Sequence, residues 1–293
     1  MPKKQSGWQT LRAMENDHFP ERNLRDQLRE MDQPHQIALA LVAHVLQKPK
    51  TWLLAHPEAH LSFAQQGQLD ALLERLDAGE PLPYILDRQD FFGLLFEVNP
   101  SVLIPRPETE LLVEEALQWL RANPDARTGL DVGTGSGCIA ISLAVNCRDL
   151  KMIATDVSAD ALQVANRNAH RHHIQDRILL LQYDLLPSAL PKVDLICANL
   201  PYIPTAKLSQ VNSLPWEPRL ALDGGEDGLG LIGKLLQKIA LLTSLPGLIL
   251  IETEETLGQA TVALAKECFP AARITLLKDL PGRDRLVRIE NKA

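Results

Sequence analysis

The sequence predicts an α/β fold: a doubly wound, mostly parallel sheet of seven strands with a small N-terminal helical domain. Three observations carry that prediction. From about Gly129 onward, short apolar stretches alternate with helical ones. The first of them runs into a glycine-rich turn, Asp131-Val132-Gly133-Thr134-Gly135-Ser136-Gly137, that opens a helix. A later one ends in Asn199-Leu200-Pro201-Tyr202, at the strand edge where open α/β sheets collect their ligands.

A chain of 293 residues is long enough for two domains of ordinary size. With 45% hydrophobic and 23% charged residues it has a globular composition, which excludes disordered and fibrous classes. The formal net charge of -7 argues against a nonspecific grip on nucleic acid, so no direct nucleic-acid binding is expected. No apolar run approaches the ~20 residues that span a bilayer. The polar start, Met1-Pro2-Lys3-Lys4-Gln5, lacks an apolar signal core. Cys138, Cys147, Cys197 and Cys268 form no C-x-x-C pair and lie in or beside apolar segments. They read as small buried hydrophobes in a reducing compartment, not as a zinc site or a disulfide framework. The expectation is a cytoplasmic protein with no metal and no membrane contact.

Residues 1–80 read as a helical bundle. Ile37 to Leu46 is an apolar helical segment, and Ser62 with Gln65 has the spacing of a capping box. Leu69, Leu72, Leu73 and Leu76 follow on one helical face, and Gly79 supplies a stop. His56 and His60 are four apart, but Pro57 and the misplaced Glu spoil an H-E-x-x-H reading. Residues 81–107 form a linker. Tyr84 to Phe92 and Leu94 to Val98, broken at Gly93, predict a β-hairpin. Ile104-Pro105-Arg106-Pro107 then restricts the backbone, and Arg106-Pro107-Glu108 reads either as a rigid connection or as a wall beside a substrate cleft.

The third segment, residues 108–293, starts with a helix from about Thr109 to Leu120. Its strands are Leu130 to Val132, Lys151 to Thr155, Ile178 to Leu181, Val193 to Ala198 and Leu248 to Ile251. Alternation with helices calls for parallel pairing through right-handed crossovers. Ile274 to Leu277 and Leu286 to Glu290, separated by Pro281-Gly282-Arg283-Asp284, predict an antiparallel hairpin closing one edge.

Glycines at 133, 135 and 137 let the backbone turn tightly and approach a ligand, and the N–H groups at the helix start favour negative charge. Asp156 ends the next strand, where an acid accepts hydrogen bonds from ribose hydroxyls. Gly135 to Ala140 also fits G-x-G-x-x-A, so an NAD-dependent oxidoreductase is a rival reading. Asp131 at the loop's entrance counts against it, since an acid there would repel a pyrophosphate yet could hold an ammonium group. No hydride-transfer set of Ser, Tyr and Lys is evident near the tetrapeptide. S-adenosylmethionine, zwitterionic and free of phosphate, suits Asp131 better. Asp184 could accept from an adenine amino group with Leu185 against the ring, or could equally be a cap or loop acid.

In the tetrapeptide, Asn199 offers a side-chain amide and Tyr202 an aromatic face. Pro201 has no N–H, which leaves backbone carbonyls free to accept. Together they form a socket for a planar –NH2 group, although the four letters alone fit an Asn-Pro-type turn equally well. His170-Arg171-His172-His173 reads as cations compensating a helix C-terminus.

With both motifs in hand, the chain resembles the class I, Rossmann-like S-adenosylmethionine-dependent methyltransferases. Asn199-Leu200-Pro201-Tyr202 is similar to the (Asn/Asp/Ser)-x-Pro-(Tyr/Phe/Trp) motif of enzymes that methylate planar nitrogens. It resembles most the HemK family, the peptide-chain release factor glutamine N5-methyltransferases. Further matches are Gly79 to Ile85, Ile104 to Glu110, Glu217 to Gly228 and Gly282 to Arg285. The resemblance implies that residues 1–80 help engage a release factor, that residues 81–107 link, and that residues 108–293 carry catalysis. It implies methyl transfer to the side-chain nitrogen of the glutamine in the Gly-Gly-Gln tripeptide of class I release factors, which modulates translation termination. Gly133, Thr134, Gly135, Ser136 and Gly137, with Asp131, Asp156, Asp184, Leu185 and Asn199, correspond to the cofactor site. Asn199, Leu200, Pro201 and Tyr202 correspond to the glutamine site, flanked by Arg106 and Glu217. Asn199, Pro201 and Tyr202 are the expected catalytic set. A ribosomal-protein glutamine methyltransferase is the nearest alternative. A nucleic-acid adenine methyltransferase fits the acidic charge less well. The sequence departs from the family at Leu200, where proline is commoner, at Asp87, where glycine is usual, and at Thr253-Glu254, where Ile-Gly is usual. The last two bear on local loop geometry and substrate fit.

Overall fold

Residues 23–187, 190–210 and 215–291 are described by the computed structural model. The chain divides into two units, residues 1–86 and 87–293, each with its own core.

In the first unit helices α1 (Leu24–Glu30), α2 (His35–Leu46), α3 (Lys50–Ala55), α4 (Phe63–Asp77) and α5 (Leu82–Ile85) bury Leu24, Leu41, Leu53, Leu69 and Ile85 together. Asn23 caps α1, accepting from the Asp26 N–H at 2.9 Å. The capping box of α4 is complete. Ser62 Oγ accepts from Gln65 N at 3.3 Å, and Gln65 Oε1 accepts from Ser62 N at 2.9 Å. The part of the helical expectation that falls on residues 1–22 lies outside the described residues. Tyr84 and Ile85, expected to begin the hairpin, instead complete α5, because Ile85 is drawn into this core.

The second unit opens with the hairpin β1 (Arg88–Phe91) and β2 (Leu94–Glu97). Phe92 and Gly93 form its two-residue turn at φ 51° and 70°, the left-handed pair that matches strand twist. Asp87, where the family usually carries glycine, sits at φ 54°, a region that aspartate tolerates better than most residues. The strands that follow are β3 (Thr128–Val132), β4 (Lys151–Asp156), β5 (Ile178–Gln182), β6 (Leu195–Ala198), β7 (Leu248–Glu252), β8 (Arg273–Lys278) and β9 (Asp284–Glu290). They form one seven-stranded sheet ordered β5-β4-β3-β6-β7-β9-β8, parallel except for β9, which pairs antiparallel with both β7 and β8. The predicted sheet and its antiparallel edge are both present.

Side-chain alternation along the strands builds two cores. Leu130, Val132, Ile196, Ala198, Ile249 and Ile251 face α9 (Gly230–Ala240) and α10 (Gly258–Cys268). Leu195, Cys197, Leu248 and Leu250 face the opposite side, where α6 (Glu110–Ala122) and α7 (Cys138–Asn146) pack, and where Phe91 and Phe96 of the hairpin are also buried. Strand order reverses between β3 and β6, so a crevice opens beyond their C-terminal ends. The departure at Thr253-Glu254 is accommodated just past β7. Thr253 N donates to Arg285 O at 2.9 Å, and its buried hydroxyl lies 3.3 Å from that of Thr261.

Candidate active site

The crevice encloses about 350 Å³, the size of a small-molecule site, and lies wholly within the second unit. One wall is the glycine turn. Gly133, Gly135 and Gly137 all have positive φ (74°, 55° and 82°), which only glycine adopts without cost. β4 holds the turn from beneath, its Thr155 carbonyl accepting from Gly133 N and Thr134 N at 2.9 Å each. Asp156 links the turn to the start of α8 (Ala159–Arg171). Its Oδ2 accepts from Gly135 N and its Oδ1 from Ser158 N, both at 2.9 Å. It lines the crevice with acceptor capacity to spare. Burial raises its pKa, against those N–H bonds. Asp184 and Leu185 complete this half, Leu185 at φ 64° with its carbonyl accepting from Thr155 Oγ1 at 2.9 Å.

Asp131 is placed differently from the expectation that it meets an ammonium group directly. Alternation along β3 turns it away from the wall, and its carboxyl is completely buried behind the glycine turn. Oδ2 accepts from the Thr134 hydroxyl at 2.6 Å and from Ala140 N at 3.3 Å, while Oδ1 has no partner. Burial lifts its pKa to about 7, outweighing the Thr134 and Ala140 bonds. Asp131 therefore shapes the turn from behind. Asn168, buried on α8, braces it from the side, donating to the carbonyls of Ser136 and Glu97 at 2.9 Å each. Sequence reading missed Asn168. The available signal was its helical spacing with the buried Ala161, Val164 and Ala165.

The other wall is the tetrapeptide. Asn199 follows β6, and its Nδ2 donates to Thr109 Oγ1 at 3.1 Å. That bond commits the amino side of the carboxamide, and Thr109 lines the crevice beside Asn199. Leu200 and Pro201 line the wall beside it. Tyr202 does not. It packs against the core that faces α9 and does not line the crevice, so the aromatic cover expected of it is not on the crevice wall. Burial pushes the Tyr202 hydroxyl pKa up.

The stretch from Glu217 to Gly228 clasps this loop. Ile203 N donates to Leu222 O at 3.1 Å, and Gly224 N to Ile203 O at 2.9 Å. A Cβ at Gly224 would come within 2.8 Å of the Pro201 carbonyl oxygen, and one at Gly228 within 2.2 Å of the Tyr202 carbonyl oxygen. Glycine is required at both because two backbones touch. Arg106 lines the crevice, but Glu217 stands behind it, buried. Both Glu217 oxygens accept from Arg106 Nη2, at 2.8 and 2.6 Å, and Oε1 also accepts from Ile104 N at 3.2 Å. The two residues are thus brought together, with only the guanidinium at the wall.

Glu252, at the end of β7, was not singled out from the sequence. It is 2% exposed, and Oε2 has no partner. Burial raises its pKa to about 7, against hydrogen bonding from Thr109 and Tyr202 and the charge of Arg285. An acid closing the apolar run Leu248 to Ile251 was the signal that could have found it. Among the described residues no group of His, Cys, Asp and Glu is arranged to hold a metal ion.

Residues 22–86 match the PrmC N-terminal domain, and residues 108–212 match the methyltransferase small domain. The chain is 40% identical over 258 residues to the release factor glutamine methyltransferase of Moorella thermoacetica, covering 87% of this chain and 90% of that one. It is 43% identical over 215 residues to the Bordetella pertussis protein of the same name, covering 72% and 78%. The Coxiella burnetii protein of that name is 36% identical over 269 residues, covering 91% and 95%. Among solved structures, the hMettl16 catalytic domain in complex with MAT2A 3'UTR hairpin 6 superposes with a TM-score of 0.56 over 72% of this chain and 80% of that one. At 17% identity that likeness speaks to the fold alone.

Proposed function

The chain belongs to the release factor glutamine methyltransferase family, and from that premise we propose that it methylates the side-chain nitrogen of the glutamine in the Gly-Gly-Gln tripeptide of class I release factors. It is an S-adenosylmethionine-dependent protein glutamine methyltransferase, and the dinucleotide alternative falls with that assignment. The observation that carries the finer reading is the Asn199 carboxamide. Asn199 and Pro201 line the crevice together, and with the Asn199 nitrogen tied to Thr109 its oxygen is the end left to accept.

The crevice fits the cofactor's chemistry. A turn whose glycines let the backbone line the crevice suits a zwitterionic amino-acid end, and the Asp156 carboxylate suits ribose hydroxyls. Asp184 and Leu185 would hold the adenine. Once bound, S-adenosylmethionine supplies a methyl group on a sulfonium leaving group. The remaining work belongs to the protein. An amide nitrogen is a poor nucleophile because its lone pair is delocalised into the carbonyl, so orientation is the main lever. Asn199 Oδ1 and the Pro201 carbonyl accept the two amide hydrogens and aim the nitrogen. They also stabilise positive charge as it develops there. Arg106, held by Glu217, flanks the tripeptide. Tyr202 contributes from behind, as a prop for the loop.

The N-terminal helical unit would engage the release factor outside the tripeptide, and methylation would tune translation termination in the cytoplasm. No helix among the described residues is long and apolar enough to cross a membrane. Incubating the protein with S-adenosylmethionine and a purified class I release factor, followed by mass spectrometry, tests the reading. One methyl group on the tripeptide glutamine is expected, with none on a glutamine-to-alanine release factor. Methylation of a ribosomal protein in place of the release factor would overturn it.

A further inference from the structure

The hairpin β1–β2 has only two strands, so the outer edge of β2 needs partners for its main-chain groups. Side chains of α8 stand in for a third strand. His172, just past the end of that helix, donates from Nε2 to the Leu95 carbonyl at 2.9 Å and packs its ring on Phe96, with centroids 5.2 Å apart. One helical turn earlier, Asn168 takes both main-chain groups of Glu97. Its Oδ1 accepts from Glu97 N at 2.7 Å, and its Nδ2 donates to Glu97 O at 2.9 Å. Arg167 adds an ion pair to the Glu97 carboxylate at 2.6 Å. The other hydrogen of Asn168 Nδ2 leaves the hairpin and goes to the Ser136 carbonyl of the glycine turn at 2.9 Å.

We propose that Asn168 is the positioning residue that ties the hairpin to the cofactor turn, so that cofactor binding and docking of the hairpin strengthen each other. This coupling rests on the S-adenosylmethionine assignment above and on nothing in the glutamine reading. Asn168 is completely buried and does not line the crevice, whereas Ser136 does, so Asn168 acts on the cofactor through Ser136. Its carboxamide is fully matched, with one acceptor facing an N–H and two donors facing two carbonyls. Aspartate would set oxygen against both carbonyls. An apolar residue would leave three main-chain groups without partners.

The peptide between Ser136 and Gly137 needs such a hold. Gly137 sits at φ 82°, and glycine accepts either sign of φ, so this peptide can rotate where others cannot. Rotation would take the Ser136 carbonyl off α8 and change the face that the turn shows to the crevice. The bond from Asn168 fixes it. Two more contacts join α8 to the turn. A Cβ at Gly137 would come within 3.2 Å of the Ala165 Cβ, and Asp156, which leads into α8, accepts from Gly135 N at 2.9 Å. Because one –NH2 group serves both Glu97 and Ser136, a docked hairpin holds the turn in its binding form, and an occupied turn holds Asn168 against β2. The coupling is reciprocal by necessity.

The test uses the full chain and S-adenosylhomocysteine, with hydrogen exchange of the hairpin amides followed in the presence and absence of that ligand. In the wild type, saturating ligand should slow exchange of the Glu97 amide about tenfold or more. A hairpin indifferent to the ligand would overturn the coupling. Asn168→Ala should weaken S-adenosylhomocysteine binding on the order of tenfold or more and abolish the ligand's effect on the hairpin. Unchanged affinity there, or an effect that persists, would also overturn it. His172→Ala separates positioning from mere loosening, because it frees Leu95 but leaves Asn168 in place. Its hairpin should exchange faster and still be slowed by the ligand; loss of that slowing would take the link away from Asn168. If Asn168→Ala does not fold, the isosteric Asn168→Asp replaces it, keeping the acceptor for Glu97 N while removing the donor to Ser136. In methylation of a release factor, KM for S-adenosylmethionine should rise in Asn168→Ala while kcat holds, and a fall in kcat alone would count against the role. A wild type that shows the slowing but methylates no release factor sinks the glutamine reading and leaves the coupling standing.

Discussion

The two halves of the crevice each rest on a buried carboxyl, and they differ in how far those carboxyls reach. Asp131 bonds residues three and nine positions along the chain, and the other supports of the glycine turn, Thr155, Asp156 and Asn168, come from the next strand and helix. Glu252 faces Thr109 and Tyr202, which arrive from separate parts of the second unit, and Tyr202's own backbone is clasped by Gly224 and Gly228. A cradle built on a glycine turn takes its supports from the strand and helix that follow it. A socket that must orient one carboxamide draws its supports from three remote segments. The difference teaches that the cofactor half is held by successive strand-helix neighbours, while substrate alignment draws on segments far apart in the chain.

Substitutions that separate the two halves test this directly. The largest effect is expected at Asn199. Asn199→Ala should lower the methylation rate on the order of 10²-fold or more, with S-adenosylhomocysteine affinity in a calorimetric titration unchanged. Loss of cofactor affinity instead would merge the two halves. Next comes Gly228→Ala, whose methyl would press on the Tyr202 carbonyl. A displaced tetrapeptide should reduce kcat about tenfold or more, again with cofactor binding kept. Gly225→Ala is its control, because that position has similar left-handed backbone (φ 89°) but open space around it. There the cost should be confined to about 1–2 kcal/mol of stability.

The buried carboxyls give a smaller, pH-dependent signature. Both have folded-state pKa values raised to about 7, above those of the unfolded chain. Each therefore contributes stability that is full below about pH 4 and is lost as the pH rises through about 7. Urea denaturation at a series of pH values should show this loss. Asp131→Asn should remove the Asp131 share of that pH slope and leave that of Glu252. An unaltered pH slope in that variant would mean that Asp131 is not protonated in the fold. The smallest change is expected at Asp87, outside both halves. Asp87→Gly should alter stability by less than about 1 kcal/mol, whereas Asp87→Val should cost about 1–2 kcal/mol. Methyl transfer should persist in both, and a large loss of rate would tie the hairpin to alignment.

Much of the molecule was legible as sequence, because strand and helix periodicity, glycine turns and caps are set by neighbours in the chain. The seven-stranded sheet, the capping box at Ser62 and the glycine turn followed by Asp156 are of that kind. Tyr84 and Ile85 misled the reading, since aromatic and β-branched residues suit strands and helices alike once a core claims them. The tertiary structure alone decided which polar groups face the crevice. It turned Asp131, Glu217 and Tyr202 away from the wall, brought Thr109 to Asn199 and buried Glu252 at the end of the neighbouring strand. The physical reason is that a buried polar group needs partners wherever the fold can supply them. Those partners are chosen by the packing of distant elements and not by the spacing of residues along the chain.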